Sequence, residues 1–365
     1  MSKTKAMVFR KRGGLKRGET WLYNGYPVEV VNNFNYLGVI FNYTGNYTLN
    51  QEHLMGKGLK AMNILLANCR KYKLKPKILC QLFDAFIGST LSYACEIWGF
   101  TKSKELERLH LRFCKQILGV NMRTSNVGVY GELGRYPLYI GRYVRIIKYW
   151  SKIVRTDNII ISVIYKQALS DCDNGYSNWA SNVKKMLYEF GCGYVWEAQT
   201  TFDLKSFHIE FKRRLVDNFI QNWNTDVANN RVMYLYVNFK DSFAYEHYLD
   251  ALPYDLRFYM SRLRLASHSL RVQTGRFGVN RLERNLRLCL ICNTVDIEDE
   301  YHFILVCKTL SEIRKKYIKK YYYTRPSVYK FIALLQNTNK KVLTNLAKFI
   351  REAFIFRTSV TNTLN

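Results

Sequence analysis

The pattern of apolar and polar positions changes period along the chain. Up to about residue 45 the apolar residues come in short runs broken by turn residues. Ala6 to Phe9 is a strand candidate and Gly13-Gly14 a turn. Trp21–Tyr23 and Val28–Val31 predict a hairpin across Asn24-Gly25, a dipeptide suited to the positive φ angles of a tight hairpin turn. Phe34 to Phe41 reads as one more strand. From Asn50, a candidate N-cap, the period becomes helical, with Leu54, Met62, Leu65 and Cys69 on one face. Pro76 starts a second helix, Ile78 to Trp98, closed by Gly99. Ser103 caps a third, with Leu106, Leu109, Phe113 and Ile117 inward and Gly119 as its stop. Residues 125–134 give a short helix, and Pro137 opens another running to about Val154. Tyr93, Trp98 and Trp150 read as core.

Beyond residue 157 the pattern weakens. Helices are expected near 158–170, 177–189 and 205–222, separated by the polar Asp171–Gly175 loop and by Gly191-Cys192-Gly193. Leu256 to Val272 is better defined, with Leu256, Tyr259, Met260, Leu263, Ala266 and Leu270 on one face. Ser311 to Tyr323 reads as a basic helix, and Phe331 to Phe356 as one or two closing helices. The expected fold is mainly α. It has a β-rich part at 1–45, a helical block at 46–156, a helical connector at 157–255 and a basic helical region at 256–365.

Charge sharpens this picture. Of 365 residues, 56 are Lys or Arg and 28 are Asp or Glu, a net charge of +28, and 48% of the chain is hydrophobic. Such a chain folds, and its charge calls for a polyanionic partner, nucleic acid ahead of an anionic membrane surface. The basic residues are clustered. Residues 3–18 hold seven, among them Lys3, Lys5, Arg10, Lys11 and Arg12, and no acid. Residues 257–287 hold eight Arg and a single acid, Glu283. Arg257, Arg264 and Arg271 recur every seven residues, roughly 100° from the middle of the apolar face of a continuous helix. They predict a line of guanidinium groups for phosphates, extended by Arg276, Arg284 and Arg287.

One stretch carries recognisable site chemistry. Cys289-Leu290-Ile291-Cys292, nine residues, His302, four residues and Cys307 form a C-x2-C-x9-H-x4-C pattern. Two cysteines at that spacing put both sulfurs on one side of a tight turn, and a later His and Cys complete a tetrahedral Cys₃His set for one structural Zn²⁺. The competing reading is three buried thiols and a core histidine. The remaining six cysteines are scattered, as in a reducing compartment. No apolar run reaches the ~18 residues of a spanning helix, and no secretory pattern opens the chain. The location expected is nucleus or cytoplasm, without export or membrane attachment.

Several landmarks together resemble one family. Lys3-Thr4-Lys5-Ala6-Met7-Val8-Phe9 and Phe34-Asn35-Tyr36-Leu37-Gly38-Val39 resemble consecutive palm elements of the reverse transcriptase of non-LTR (LINE-type) retrotransposons. Tyr93-Ala94-Cys95-Glu96-Ile97-Trp98-Gly99, Ile117-Leu118-Gly119-Val120 and Glu132-Leu133-Gly134 with Pro137-Leu138 resemble landmarks of its helical thumb and the region after it. Ser267-His268-Ser269-Leu270, Gly275-Arg276-Phe277 and Arg284 through Cys307, with Glu298-Asp299-Glu300 and His302-Phe303, resemble its C-terminal segment and zinc knuckle. The matches run in family order from residue 3 to about 314.

The resemblance implies a palm remnant at 1–45, a thumb-like bundle at 46–156 and a zinc knuckle at 289–307. It also implies what is missing. Polymerisation needs carboxylates that hold two divalent metals over the primer end. In the family these precede the Lys-Thr-Lys element, and this sequence has no adjacent Asp-Asp pair. The expectation is therefore a truncated retrotransposon-derived product without polymerase activity. It would bind RNA, DNA or their hybrid with little sequence readout. The alternative is the C-terminal part of an active RNA-directed DNA polymerase.

Overall fold

A computed structural model describes residues 4–10, 15–199, 203–277, 281–292 and 294–363. Lys3, Lys11, Arg12 and the Gly13-Gly14 turn lie outside the described residues. The fold is mainly helical, with a few small strand pairs at the N-terminus. Its residues group into two compact units, one of residues 1–65, 83–110 and 137–216, the other of 66–82, 111–136 and 217–365.

The strands belong to the first unit. Lys5–Ala6 pairs in parallel with Glu29–Val30, and Leu22–Tyr23 pairs with Tyr26–Pro27 across Asn24-Gly25. Both turn residues have positive φ, 48° and 76°, as the sequence predicts, but the second strand is Tyr26–Pro27 and not Val28–Val31, because Glu29–Val30 is taken up by pairing with Lys5–Ala6. Phe34 to Phe41 is not one strand. It is a second hairpin, Asn33–Tyr36 against Val39–Asn42, turning at Leu37 (φ 49°) and Gly38 (φ 83°). Tyr93 holds this turn. Its hydroxyl donates to Leu37 O at 2.8 Å, and a Cβ on Gly38 would lie 3.2 Å from its ring. Tyr93 is thus 49% exposed and works at the surface, whereas Trp98 and Trp150 are buried as expected.

Asn50 is not an N-cap. The first helix begins at Thr48, and the buried Asn50 side chain instead accepts from Ile40 N at 3.0 Å, joining helix to hairpin. The second helix expected, Ile78 to Trp98, is interrupted. Pro76–Leu82 passes into a π-type turn over Phe83–Gly88, and Cys95–Trp98 restarts after Ala94, whose φ is 50°. Lys104–Leu118, Asn126–Leu133 and Leu138–Val154 form close to their expected bounds. A core within residues 143–215 of the first unit gathers Tyr143, Ile147, Trp150, Val183, Trp196 and Phe211. Trp150 stacks on Trp196 at 6.0 Å and donates its indole N–H to Tyr165. The helices Ile159–Asp173, Trp179–Glu189 and Leu204–Ala228 supply much of this core, in a region whose sequence said little.

The second unit carries the chain from Asp217 onward. Its helix Tyr254–Arg264 ends earlier than Val272, because Ala266 turns left-handed at φ 52° and the chain restarts only at Arg271–Thr274. Ser311 to Tyr323 is also two pieces, Ser311–Tyr317 and Lys320–Tyr323. Ile318 between them is extended and buried, so the break seats an apolar side chain. Val328–Leu335 and Lys340–Thr363 close the chain. Among the described residues no helix is long and apolar enough to cross a membrane.

Candidate metal centre

Residues 287–289 and 296–298 approach as a short antiparallel ladder. Cys289 N donates to Asp296 O at 2.9 Å and Glu298 N to Arg287 O at 2.9 Å. This fixes Cys289 at the base of a loop that carries Cys292. The chain then turns at Asp299, whose carboxylate accepts from His302 N at 2.9 Å. A π-type turn over His302–Val306 brings Cys307 back, with Cys307 N bonded to His302 O at 2.8 Å. Arg314, buried, clamps the far side by donating to Ile304 O at 2.7 Å and Cys307 O at 2.8 Å.

The result is convergence. One donor atom from each of Cys289, Cys292, His302 and Cys307 lies within 4.8 Å of the others. Cys292 Sγ is 3.3 Å from His302 Nε2. A zinc ion with bonds of ~2.3 Å to sulfur and ~2.0 Å to nitrogen would space such atoms by about 3.5–3.8 Å, so a small side-chain contraction closes the shell. His302 Nδ1 is buried without a hydrogen bond, and the Asp296 carboxylate stands 3.6 Å from it. That is the outer partner that a metal-bound imidazole uses to fix its tautomer. The donor set and the orphaned nitrogen both fit a metal. The two inner thiols are already unequal: the hydrogen bond with Cys307 and burial push Cys289 up to about 12, and the same bond lowers Cys307.

The acidic run beside the ligands anchors the loop to the unit. Glu298 receives Arg357 through Nε at 2.6 Å and Nη2 at 2.8 Å, and also accepts from Arg271 N at 2.6 Å. Asp299 pairs with Arg284 at 3.1 Å, and Glu300 with His268 at 2.8 Å. Burial raises Asp299, whereas for Glu300 the His268 bond and charge outweigh burial and hold it low. Sequence patterning marked these three acids only through the family resemblance. It missed the anchoring roles of Arg314 and Arg357, which sit in ordinary helical sequence without a local signal.

The arginine line is corrected. Arg257 and Arg264 are buried, at 3% and 2% exposure. Arg257 donates to Leu249 O and packs on the Tyr254 ring. Arg264 donates twice to Glu132, at 2.9 and 3.0 Å, once to Leu335 O, and pairs with Glu246. Arg271 lies past the break, on another element and half-buried. Arg287 is buried and holds the carbonyls of Leu282 and Val272. Arg276 spans to Arg231 O and Val232 O, and Arg284 lies over the Tyr234 ring. In the first unit Lys5 pairs with Glu29, and Arg10 makes a forked pair with Glu19 at 2.7 Å that pulls Glu19 down to about 2. These side chains are tied into the fold instead of being displayed in a row.

No protein-family model, no curated protein and no solved structure matches this chain.

Proposed function

We propose that the chain is a retrotransposon-derived reverse transcriptase fragment that binds RNA or DNA without polymerising it. In this reading Cys289, Cys292, His302 and Cys307 hold one structural zinc. A closed Cys₃His shell leaves no position for substrate, so the ion would act as a cross-link. Its cross-link would fix the loop that Glu298, Asp299 and Arg314 already anchor.

The observation that supports binding is the charge left after the interior arginines are set aside. Lys308, Lys319, Lys320, Arg325, Lys340 and Lys341 of the second unit are exposed, and none forms an ion pair with a carboxylate among the described residues. Solvated basic groups of this kind bind phosphates by releasing counterions, which gives affinity without base readout. The family resemblance and the lack of any adjacent Asp-Asp pair support a binding role without polymerase chemistry.

The deciding experiment is fluorescence-polarisation binding of single-stranded RNA and DNA to the zinc-loaded chain across a salt series. Affinity should fall steeply, with a log–log slope of roughly −0.7 for each phosphate contact on a single strand. A flat salt response, or no binding at low salt, overturns the reading. Primer extension with Mg²⁺ or Mn²⁺ should give no product.

A further inference from the structure

The second unit contains a cleft of about 680 Å³ that the metal centre does not use. The loop Gly119–Thr124 forms one side of it, and the end of the Tyr254–Arg264 helix with the segment after it forms the other. Gly119 has φ +67°, and a Cβ there would drive into the Phe258 ring, so only glycine lets this loop pass so close. Arg262 Nε donates to Gly119 O at 2.6 Å and Ser267 Oγ accepts from Asn121 N at 2.9 Å, so the two sides are pinned together.

The lining has two chemistries. Tyr259, Phe277 and Phe354 present aromatic surface, and Phe277 is 67% exposed. Arg123 and Arg262 are exposed cations, and among the described residues the lining contains no carboxylate. His268 of the lining is bonded to Glu300 at 2.8 Å. Thr124 is 8% exposed, and its hydroxyl oxygen is buried without a partner. A buried hydroxyl left unbonded costs free energy, and a ligand polar group would supply its partner. Flat apolar rings in one cleft with exposed guanidinium groups that pair with no carboxylate among the described residues suit one class of ligand: an aromatic heterocycle that carries a phosphate.

We propose that this cleft takes one unstacked nucleotide of a single strand, its base on the aromatic wall and its phosphate at Arg123 and Arg262. The proposal rests on the nucleic-acid-binding reading and narrows it. Stacking is blind to sequence because every base has a π-face, and a base inside a paired duplex cannot enter. The cleft therefore makes the chain prefer single strands, where surface lysines alone would not.

The test compares a short oligouridylate with a duplex of equal length, using the full zinc-loaded chain and the variants Phe277→Ala and Arg123→Ala. Both residues are exposed, so the fold tolerates the changes. Phe277→Ala should weaken oligouridylate binding about tenfold and leave duplex binding unchanged, given the size of base–aromatic stacking. Arg123→Ala should weaken the oligouridylate and flatten its salt dependence. Uridine monophosphate in excess should compete with the oligouridylate in the wild type and not in Phe277→Ala. If the wild type binds oligouridylate but both variants match it, the cleft is not the site and the general binding reading survives. If the wild type binds neither strand form, both fall together.

Discussion

Arg357 and Glu298 are joined by a forked ion pair, 2.6 and 2.8 Å long, between side chains that are almost completely buried. Fifty-nine residues separate them. Glu298 lies between Cys292 and His302 in the candidate metal loop, and Arg357 lies on the last helix. Arg357→Met should therefore cost about 3–5 kcal/mol, because it strands a buried carboxylate. Adding Glu298→Gln should restore part of the loss. Urea denaturation of the two single variants and the double variant measures the coupling. A loss below about 1 kcal/mol for Arg357→Met would place the pair among weak surface bridges instead.

The metal itself is directly measurable. Elemental analysis of purified protein should give about one zinc per chain, and Cys292→Ser should abolish it. Cys172→Ser, a thiol outside the ligand set, should leave the zinc content unchanged. Folded, metal-free wild-type protein after exposure to zinc would refute the centre.

Interior and surface cations should separate cleanly. Arg264→Met removes the partner of buried Glu132, so it should lower stability by about 3–5 kcal/mol. In any remaining folded protein the salt slope of RNA binding should not move. Lys319→Ala with Lys341→Ala should do the reverse, leaving the melting point in place and making the slope shallower by roughly 0.7 per lost contact. If Arg264→Met flattens the slope in folded protein, its guanidinium reaches phosphate after all.

Glu132 gives the pH dependence a sign. Burial opposes its ionisation, yet the charge and hydrogen bonds of Arg264 outweigh burial and hold its pKa below the ordinary 4.5. A depressed carboxylate stabilises the fold above its unfolded pKa. That stability is lost as pH falls through the folded value. The stability gap between wild type and Glu132→Gln should thus be constant from neutral pH down to about 4.5 and narrow below it. Guanidinium denaturation at stepped pH reads this directly, and a gap that widens with acid would contradict the assignment.

Legibility followed the range of the interactions. Asn24-Gly25 announced its hairpin because the turn needs only its own two residues. Leu37-Gly38 did not, because a leucine at φ 49° is held there from outside, by the Tyr93 hydroxyl. The Cys₃His spacing was readable because one short stretch of chain, 289–307, supplies every ligand. The direction of Arg257 and Arg264 was not. The partners that draw Arg264 inward, Glu132 and Leu335, are 132 and 71 residues away. A period computed along one helix assumes solvent beyond its flank, and here the flank is covered. The break at Ala266 escaped for a similar reason, since alanine is an ordinary helix former and nothing local marks its left-handed turn.

The forked tie from the ligand loop to Lys340–Thr363 has a consequence for a chain made where zinc is scarce. Glu298 lies in the loop between Cys292 and His302, so a metal that closes this loop would also hold Glu298 towards Arg357. With the loop slack, the last helix would lose its ion pair to Glu298 at Arg357, while Leu343, Leu346, Phe349 and Ile350 keep the rest of it buried. Protease nicking near Arg357 would then act as a gauge of metal supply, read at the opposite end of the ion pair from the metal.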